Sequence, residues 1–431
     1  MRAYWQNVLS CGRDIHLFLG YALLSYIGIG VFTLIFNLYL VQLGYDEGFI
    51  GAVNGVYTLS MGITCLLIGF LINRFGNWIC LTLGTIEFAI SLVVLATVTS
   101  ETALLLLAAL NGIGSAFIMT GQMPFVIEWT PRRHTALMAA LSSAISSGSI
   151  MLGSLVGGLL PSGVGALVDS AASSAEAYRW TLIIGAALTT ISIAPLLVMG
   201  PARKERHHED FRVSHAQLLS HRVRRQARRD VGALILLGLF LALGVGAVEP
   251  FYNVLLTNMG TPAGTIGLIF ALSGLVATVL SVAGPALAQR IGYVSAQIWT
   301  RVFFIPVHLL LIPFPSAWLV SLGYAGRKIS GSVSWPLESA HAGGLLPPQA
   351  RAHAFGLRSA SWNIGYAFAA FTSGQIIART GSYTPAYLSL SVFCILSVAV
   401  YVIAFGGRLP DNGTSAEEPV PQQVVEPLST D

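Results

Sequence analysis

An all-α integral membrane fold, with twelve transmembrane helices in two pseudo-symmetric six-helix bundles, is predicted by three observations. Of 431 residues, 54% are hydrophobic and only 10% charged, with a mean hydropathy of +0.72; soluble domains carry about a quarter charged residues. The apolar residues gather into runs of about the twenty residues a helix needs to cross a bilayer. Landmarks in the first half return in the second at a constant spacing of 216 residues.

The N-terminal segment MRAYWQNVLSCGRD leads into an uncharged run from Ile15 to Tyr45. It is too long for a signal-peptide core and has no small-residue cleavage site, so it is read as an uncleaved first span. Spans two to six follow at 49–73, 75–100 (with Glu87), 102–127, 135–168 and 180–199. Spans seven to twelve are read at 231–259, 261–289, 291–313, 316–346, 352–378 and 385–406, with the ninth boundary placed at Pro313 to Pro315. The domains are therefore a first bundle at 1–200, a basic cytoplasmic linker at 201–230, a second bundle at 231–407 and a tail at 408–431. The tail is rich in Pro, Glu, Ser and Gln and reads as disordered.

With the N-terminus cytoplasmic, Arg74, Arg132, Arg133, the nine basic residues of the linker, Arg290, Arg351 and Arg408 fall on the cytoplasmic side, and Arg179 and Arg379 fall opposite. This asymmetry follows the positive-inside rule and places both termini in the cytoplasm of a cell (inner or plasma) membrane. The run RVRRQARR is read as part of that asymmetry and not as a nucleic-acid patch, so no nucleic-acid partner is expected. Cys11, Cys65, Cys80 and Cys394 form no CxxC pair and read as packing residues. His16 and His308 are isolated, and no metal set is expected. GxxxxGK[ST], HExxH and GxSxG do not occur, so neither a nucleotide cofactor nor an enzyme is predicted.

The repeat pairs Gly44 with Gly260, Gly51 with Gly267, Arg74 with Arg290, Gly76 with Gly292, Pro131 with Pro347, and Gly158 with Gly374. Six-span halves related in this way, with a site between them near the midplane, are the architecture of alternating-access transporters. The loop after span two, Gly69-Phe-Leu-Ile-Asn73-Arg74-Phe-Gly76, is similar to the G-x-x-x-D-R-x-G motif of the major facilitator superfamily, and the chain resembles that family from Ile15 to Gly406. Its echo after span eight ends in Gln289, Arg290 and Gly292. Asn73 and Gln289 stand where the family has an acid. Gly153-Ser154-Leu-Val-Gly157-Gly158 resembles the family's antiporter motif with its proline lost, and is equally the small-residue packing common between membrane helices. The resemblance implies a monomeric secondary transporter that binds a small-molecule substrate and is driven by protons or another coupling ion. Its gating residues would be Gly69, Asn73, Arg74, Gly76, Gln289, Arg290, Gly292 and Arg358.

Charges within a bilayer cost a few kcal/mol each, roughly 2.5–3.5 on insertion scales, and usually face a cavity or a partner. In span ten Arg327, Gly331, Ser334, Glu338 and His341 share one helix face. Arg327 and Glu338 are about 16 Å apart along the axis, too far to pair. Subtracting 216 takes Glu249 to Thr33, Arg327 to Asn111, Glu338 to Gln122 and Arg358 to Ser142, so neutral polar residues in the first half match charges in the second. Asn37 and Asn253 are polar in both halves. Candidate substrate-binding residues are thus Asn37, Asn111, Gln122, Asn253, Arg327, Ser334 and Trp362. Glu249, beside the break expected at Pro250, leads the proton-coupling candidates, with Glu338 and Glu87. Two alternatives accompany them: Glu338 as an inner-gate lock with Arg358, and Arg327 as the partner of an acid on another helix. Proton-coupled export of a small organic molecule is the function expected, with uptake or exchange of an organic anion as the first rival and a non-transporting receptor or scaffold as the second.

Overall fold

The computed structural model describes residues 12–130, 134–168, 170–200, 221–345 and 348–406, and every regular element among them is helical. In the first half α1 (Arg13–Gln42), α2 (Glu47–Phe75), α3 (Asn77–Leu95), α4 (Glu101–Trp129) and α5 (Thr135–Leu167) precede α6 (Ala175–Ile191) and α7 (Ile193–Met199), which together make the sixth span. The second half repeats this order. Span seven is α8 (His221–Val248), a 3-10 turn (Glu249–Phe251) and α9 (Tyr252–Asn258); span eight is α10 (Ala263–Ile291); span nine is α11 (Tyr293–Val302) with α12 (Ile305–Leu310). Then come α13 (Ala317–Leu345), α14 (Pro348–Thr380) and α15 (Thr384–Phe405). Helix α8 already begins at His221, inside the stretch read as linker. Residues 201–220, the tail from 407, and the landmark prolines Pro131 and Pro347 lie outside the described residues.

Among the described residues, nine helical segments are long and apolar enough to cross a membrane. The other three have a visible reason for falling short. Span nine is broken at Phe303 and Phe304, ahead of Pro306 near the start of α12. Helices α13 and α14 carry Arg327, Lys328, Glu338 and Arg358 within their length. Leu83 and Ile90 are each 60% exposed while Arg301 and Glu338 are buried. That is the reverse of a water-soluble protein and suits a chain whose outer surface meets lipid.

The turns and crossings show why the repeat glycines stand where they do. Gly44 and Gly260, and Gly76 and Gly292, all have φ between +80° and +89°, a backbone region that side chains with a Cβ seldom adopt. Gly51 and Gly374 bring α2 against α14: a Cβ on Gly51 would lie 2.4 Å from the Ala370 carbonyl, and one on Gly374 2.4 Å from that of Glu47. Gly267 and Gly158 bring α10 against α5 in the same way, at 2.6 Å from the carbonyls of Ser154 and Ala263. Each contact maps onto the other through the 216-residue repeat, and both join the halves near the far end, opposite the Arg74 and Arg290 turns. Gly51→Ala or Gly158→Ala must push two backbones apart. We expect each to lower the stability of this arrangement by about 1–3 kcal/mol, the usual range for overpacking, read as a lower thermal midpoint in detergent. An unchanged midpoint would mean that the crossing has room for a methyl group and that these glycines are not what sets it.

Candidate functional site

Pro250 has no amide to donate and disfavours helical geometry in the residue before it, and span seven accordingly changes to a 3-10 turn at Glu249. The turn aims the Glu249 carboxylate at α13, where it forms an ion pair of 2.5 Å with Arg327 Nε. Both side chains keep some access, 22% for Glu249 and 11% for Arg327. Lys328 lies within electrostatic reach of Glu249. Tyr252, Tyr324 and Tyr366 lie within reach of Arg327. Tyr366 also lines an open cavity with Phe32, Thr33, Phe36, Asn37, Asn54 and Tyr57. Thr33, on the cavity wall, is the repeat equivalent of Glu249. The polar and aromatic groups of the two halves therefore meet around one space.

Glu338 is placed differently. Its two oxygens are taken by Arg301 Nη2 at 2.6 Å and Arg358 Nε at 2.7 Å, and all three side chains are almost fully buried. Arg301 Nη1 also donates to Ser397 Oγ at 2.9 Å, and the Trp335 ring covers the Arg358 guanidinium at 4.1 Å. Trp362 meets Trp335 edge-on at 5.9 Å. The ion pair that the alternative reading placed between Glu338 and Arg358 forms, but it lies wholly within the second half and does not bridge the two bundles. Arg301 was not among the sequence candidates. A lone arginine inside the apolar run 291–313 was the signal that could have found it. The first half repeats the arrangement without charge: Gln122 Nε2 donates to Ser142 Oγ at 2.7 Å, the pair equivalent to Glu338 and Arg358.

Several other candidates are committed to partners within their own half. Gln122 also donates to Ser146 Oγ and accepts from Tyr26, each at 2.7 Å. Ser146 bonds back to the Ser142 carbonyl. Asn111 is fully buried and donates to Ser91 on α3 at 3.0 Å. Ser334 donates to the Ser330 carbonyl at 2.7 Å, and its own carbonyl accepts from Gln297 on α11. Glu87 packs against Gly114, and neither of its buried oxygens has a hydrogen-bond partner. Gly69, Asn73, Arg74, Gly76, Gln289 and Arg290 are exposed at the basic end, and Gly292 is half-buried there. Arg74 lies over the ring of its neighbour Phe75. The His341 side chain lies outside the described residues. Asn37 and Asn253 are buried and bond across the halves.

Known proteins agree with this architecture. The quinolone resistance protein NorA of Staphylococcus aureus strain MSSA476 is 22% identical over 231 residues, 54% of this chain and 55% of that protein. The strain MRSA252 protein of the same name is 25% identical over 137 residues, 32% of this chain and 35% of that protein. The chain thus spans about half the length or less of these curated relatives. Among solved structures, the nucleoside transporter NupG superposes with a TM-score of 0.73 at 14% identity, covering 91% of this chain and 99% of that one. A D-xylose-proton symporter gives 0.71 at 14% identity, covering 92% and 97%. Likenesses at this level of identity carry the fold. The Major Facilitator Superfamily profile matches residues 17–326 and 234–430. With the duplicated all-helical fold already described, that match makes this chain a multi-pass membrane protein and a member of the Major Facilitator Superfamily.

Proposed function

We propose that the chain exports a small organic solute with an aromatic or amphipathic body by alternating access, with protons as the coupling ion. The observation that carries this reading is the central space itself. Phe32, Phe36, Tyr57 and Tyr366 supply apolar and π surface, Thr33 and Asn54 supply polar edges, and the Glu249–Arg327 pair lies beside them. A mostly apolar pocket with few polar groups is the usual build of a small-molecule site. The export direction draws on the relatives named for quinolone resistance. Glu249 is the proton-coupling residue in this reading because it is reachable from solvent, and Glu87, with no bonded partner, is second. Glu338, held by two arginines, is assigned a structural role, and Arg327 orients the solute.

A second reading, uptake or exchange of an organic anion, is favoured by one observation. In the interior of the second half Arg301, Arg327, Lys328 and Arg358 outnumber Glu249 and Glu338. An anionic solute would offset that excess, which is costly to hold in a low-dielectric interior.

Purified protein in proteoliposomes with a pH dye inside, offered a panel of neutral aromatic, cationic and anionic solutes, separates the readings. Export coupled to protons predicts solute flux and opposite proton flux in the same vesicles. Movement of anionic solutes alone, with no opposite proton flux, would replace it with the second reading.

A further inference from the structure

Where α1 meets span seven, two buried asparagines reach across the boundary between the halves. Asn37 Nδ2 donates to the Pro250 carbonyl at 2.8 Å, and Asn253 Nδ2 donates to the Leu34 carbonyl, also at 2.8 Å. Adding 216 to Asn37 and Leu34 gives Asn253 and Pro250. The two bonds are therefore one bond written twice by the duplication. An amide side chain this buried must bond to something, and here both choose the backbone of the other half. On the far side of these bonds the halves meet again. Tyr383 donates to Glu47 Oε1 at 2.8 Å, and Asn258 Nδ2 donates to the same oxygen at 3.1 Å.

We infer that Asn37 and Asn253 are positioning residues that form a two-fold latch holding the far end shut, and that the Glu249–Phe251 turn connects this latch to the ion pair. The connection is covalent: the acceptor for Asn37 is the carbonyl of Pro250, and the next residue back is Glu249, whose carboxylate holds Arg327. A solute or a proton that separates Glu249 from Arg327 acts on the three-residue turn that presents the latch acceptor. Asn37 also accepts from Asn54 Nδ2 at 3.0 Å and lines the cavity, so the latch is the floor of the candidate site. The latch stands on geometry alone. Its link to transport rests on the proposed function.

The test uses the full-length protein in nanodiscs, with Cys11, Cys65, Cys80 and Cys394 replaced and spin labels at Glu101→Cys and Ala317→Cys. These are repeat-equivalent positions opening α4 and α13 at the far end. Distance distributions are compared for the parent, Asn37→Ala, Asn253→Ala and Asn37→Asp, which keeps the shape and loses the amide donor. The population with the far end parted should rise roughly two- to tenfold in each, what one net hydrogen bond contributes, and by similar factors for the two alanine variants. Unchanged distances in every variant, or a shift for only one of the two asparagines, overturn the latch. The Asn253 variant decides alone if the Asn37 variants do not fold. Glu249→Gln with both asparagines intact should move the same distances; if it does not, the link fails and the latch remains. Because no solute is needed, failure of the proposed function would appear separately, as absence of flux from the parent protein.

Discussion

Glu338→Gln is expected to cost the protein about 3–5 kcal/mol of stability, the range for breaking a buried ion pair from one side. The substitution keeps the side-chain volume and leaves two guanidinium groups, Arg301 and Arg358, buried without their shared counterion. Glu249→Gln should cost less, because Glu249 and Arg327 both retain access to solvent. The duplication supplies the control. In the first half the equivalent positions hold Gln122, Ser142 and Thr85, so glutamine itself fits such a site when no arginine faces it. A triple variant, Glu338→Gln with Arg358→Ser and Arg301→Thr, copies the first half. It should recover most of what the single substitution loses, since replacing a whole buried charge cluster is often neutral. Thermal unfolding in detergent measures all three. A Glu338→Gln protein as stable as the parent would remove the structural role assigned to this cluster.

The scaffold was largely legible in the sequence, and the reason is geometric. A helix that must cross lipid declares itself by length and hydropathy, and a duplicated chain declares its symmetry by subtraction. Gly51, Gly158, Gly267 and Gly374 could be paired from their numbers alone. What subtraction does not give is which glycine faces which, and the structure crosses them between the halves. The same limit applies to Asn37 and Asn253. Their equivalence was visible, but their partners are backbone carbonyls, and backbone carries no residue code. Glu338 and Arg358 were placed together correctly because both are charged and few charges are available. Arg301 escaped because it stands alone in its own apolar run and its partner comes from a helix more than thirty positions away. The basic turns at Arg74 and Arg290 were recognisable as motifs, yet a motif does not state what its side chains meet, and both stand exposed here.

Arg327→Ala is expected to reduce solute flux by about tenfold or more, what losing one interaction with a charged group, about 1.5–3 kcal/mol, costs, since the substitution leaves the Glu249 carboxylate without its counterion. The loss has two sources that a second variant separates. If Arg327 serves only to neutralise Glu249, then Arg327→Ala combined with Glu249→Gln removes both charges and should restore solute flux without proton flux. If Arg327 orients the solute, the double variant stays as poor as Arg327→Ala, because the fixed fork of donors that guanidinium offers to a polar group is gone. Arg327→Lys is the finer probe. It keeps the charge and loses the fork, and Lys328 next to it already shows that a lysine can sit within reach of Glu249. Orientation by Arg327 therefore predicts that Arg327→Lys resembles Arg327→Ala, with solute flux and the proton flux coupled to it falling together. Full activity of the lysine variant would instead make the site a point charge, and the aromatic wall of Phe32, Phe36, Tyr57 and Tyr366 would then have to supply the selectivity.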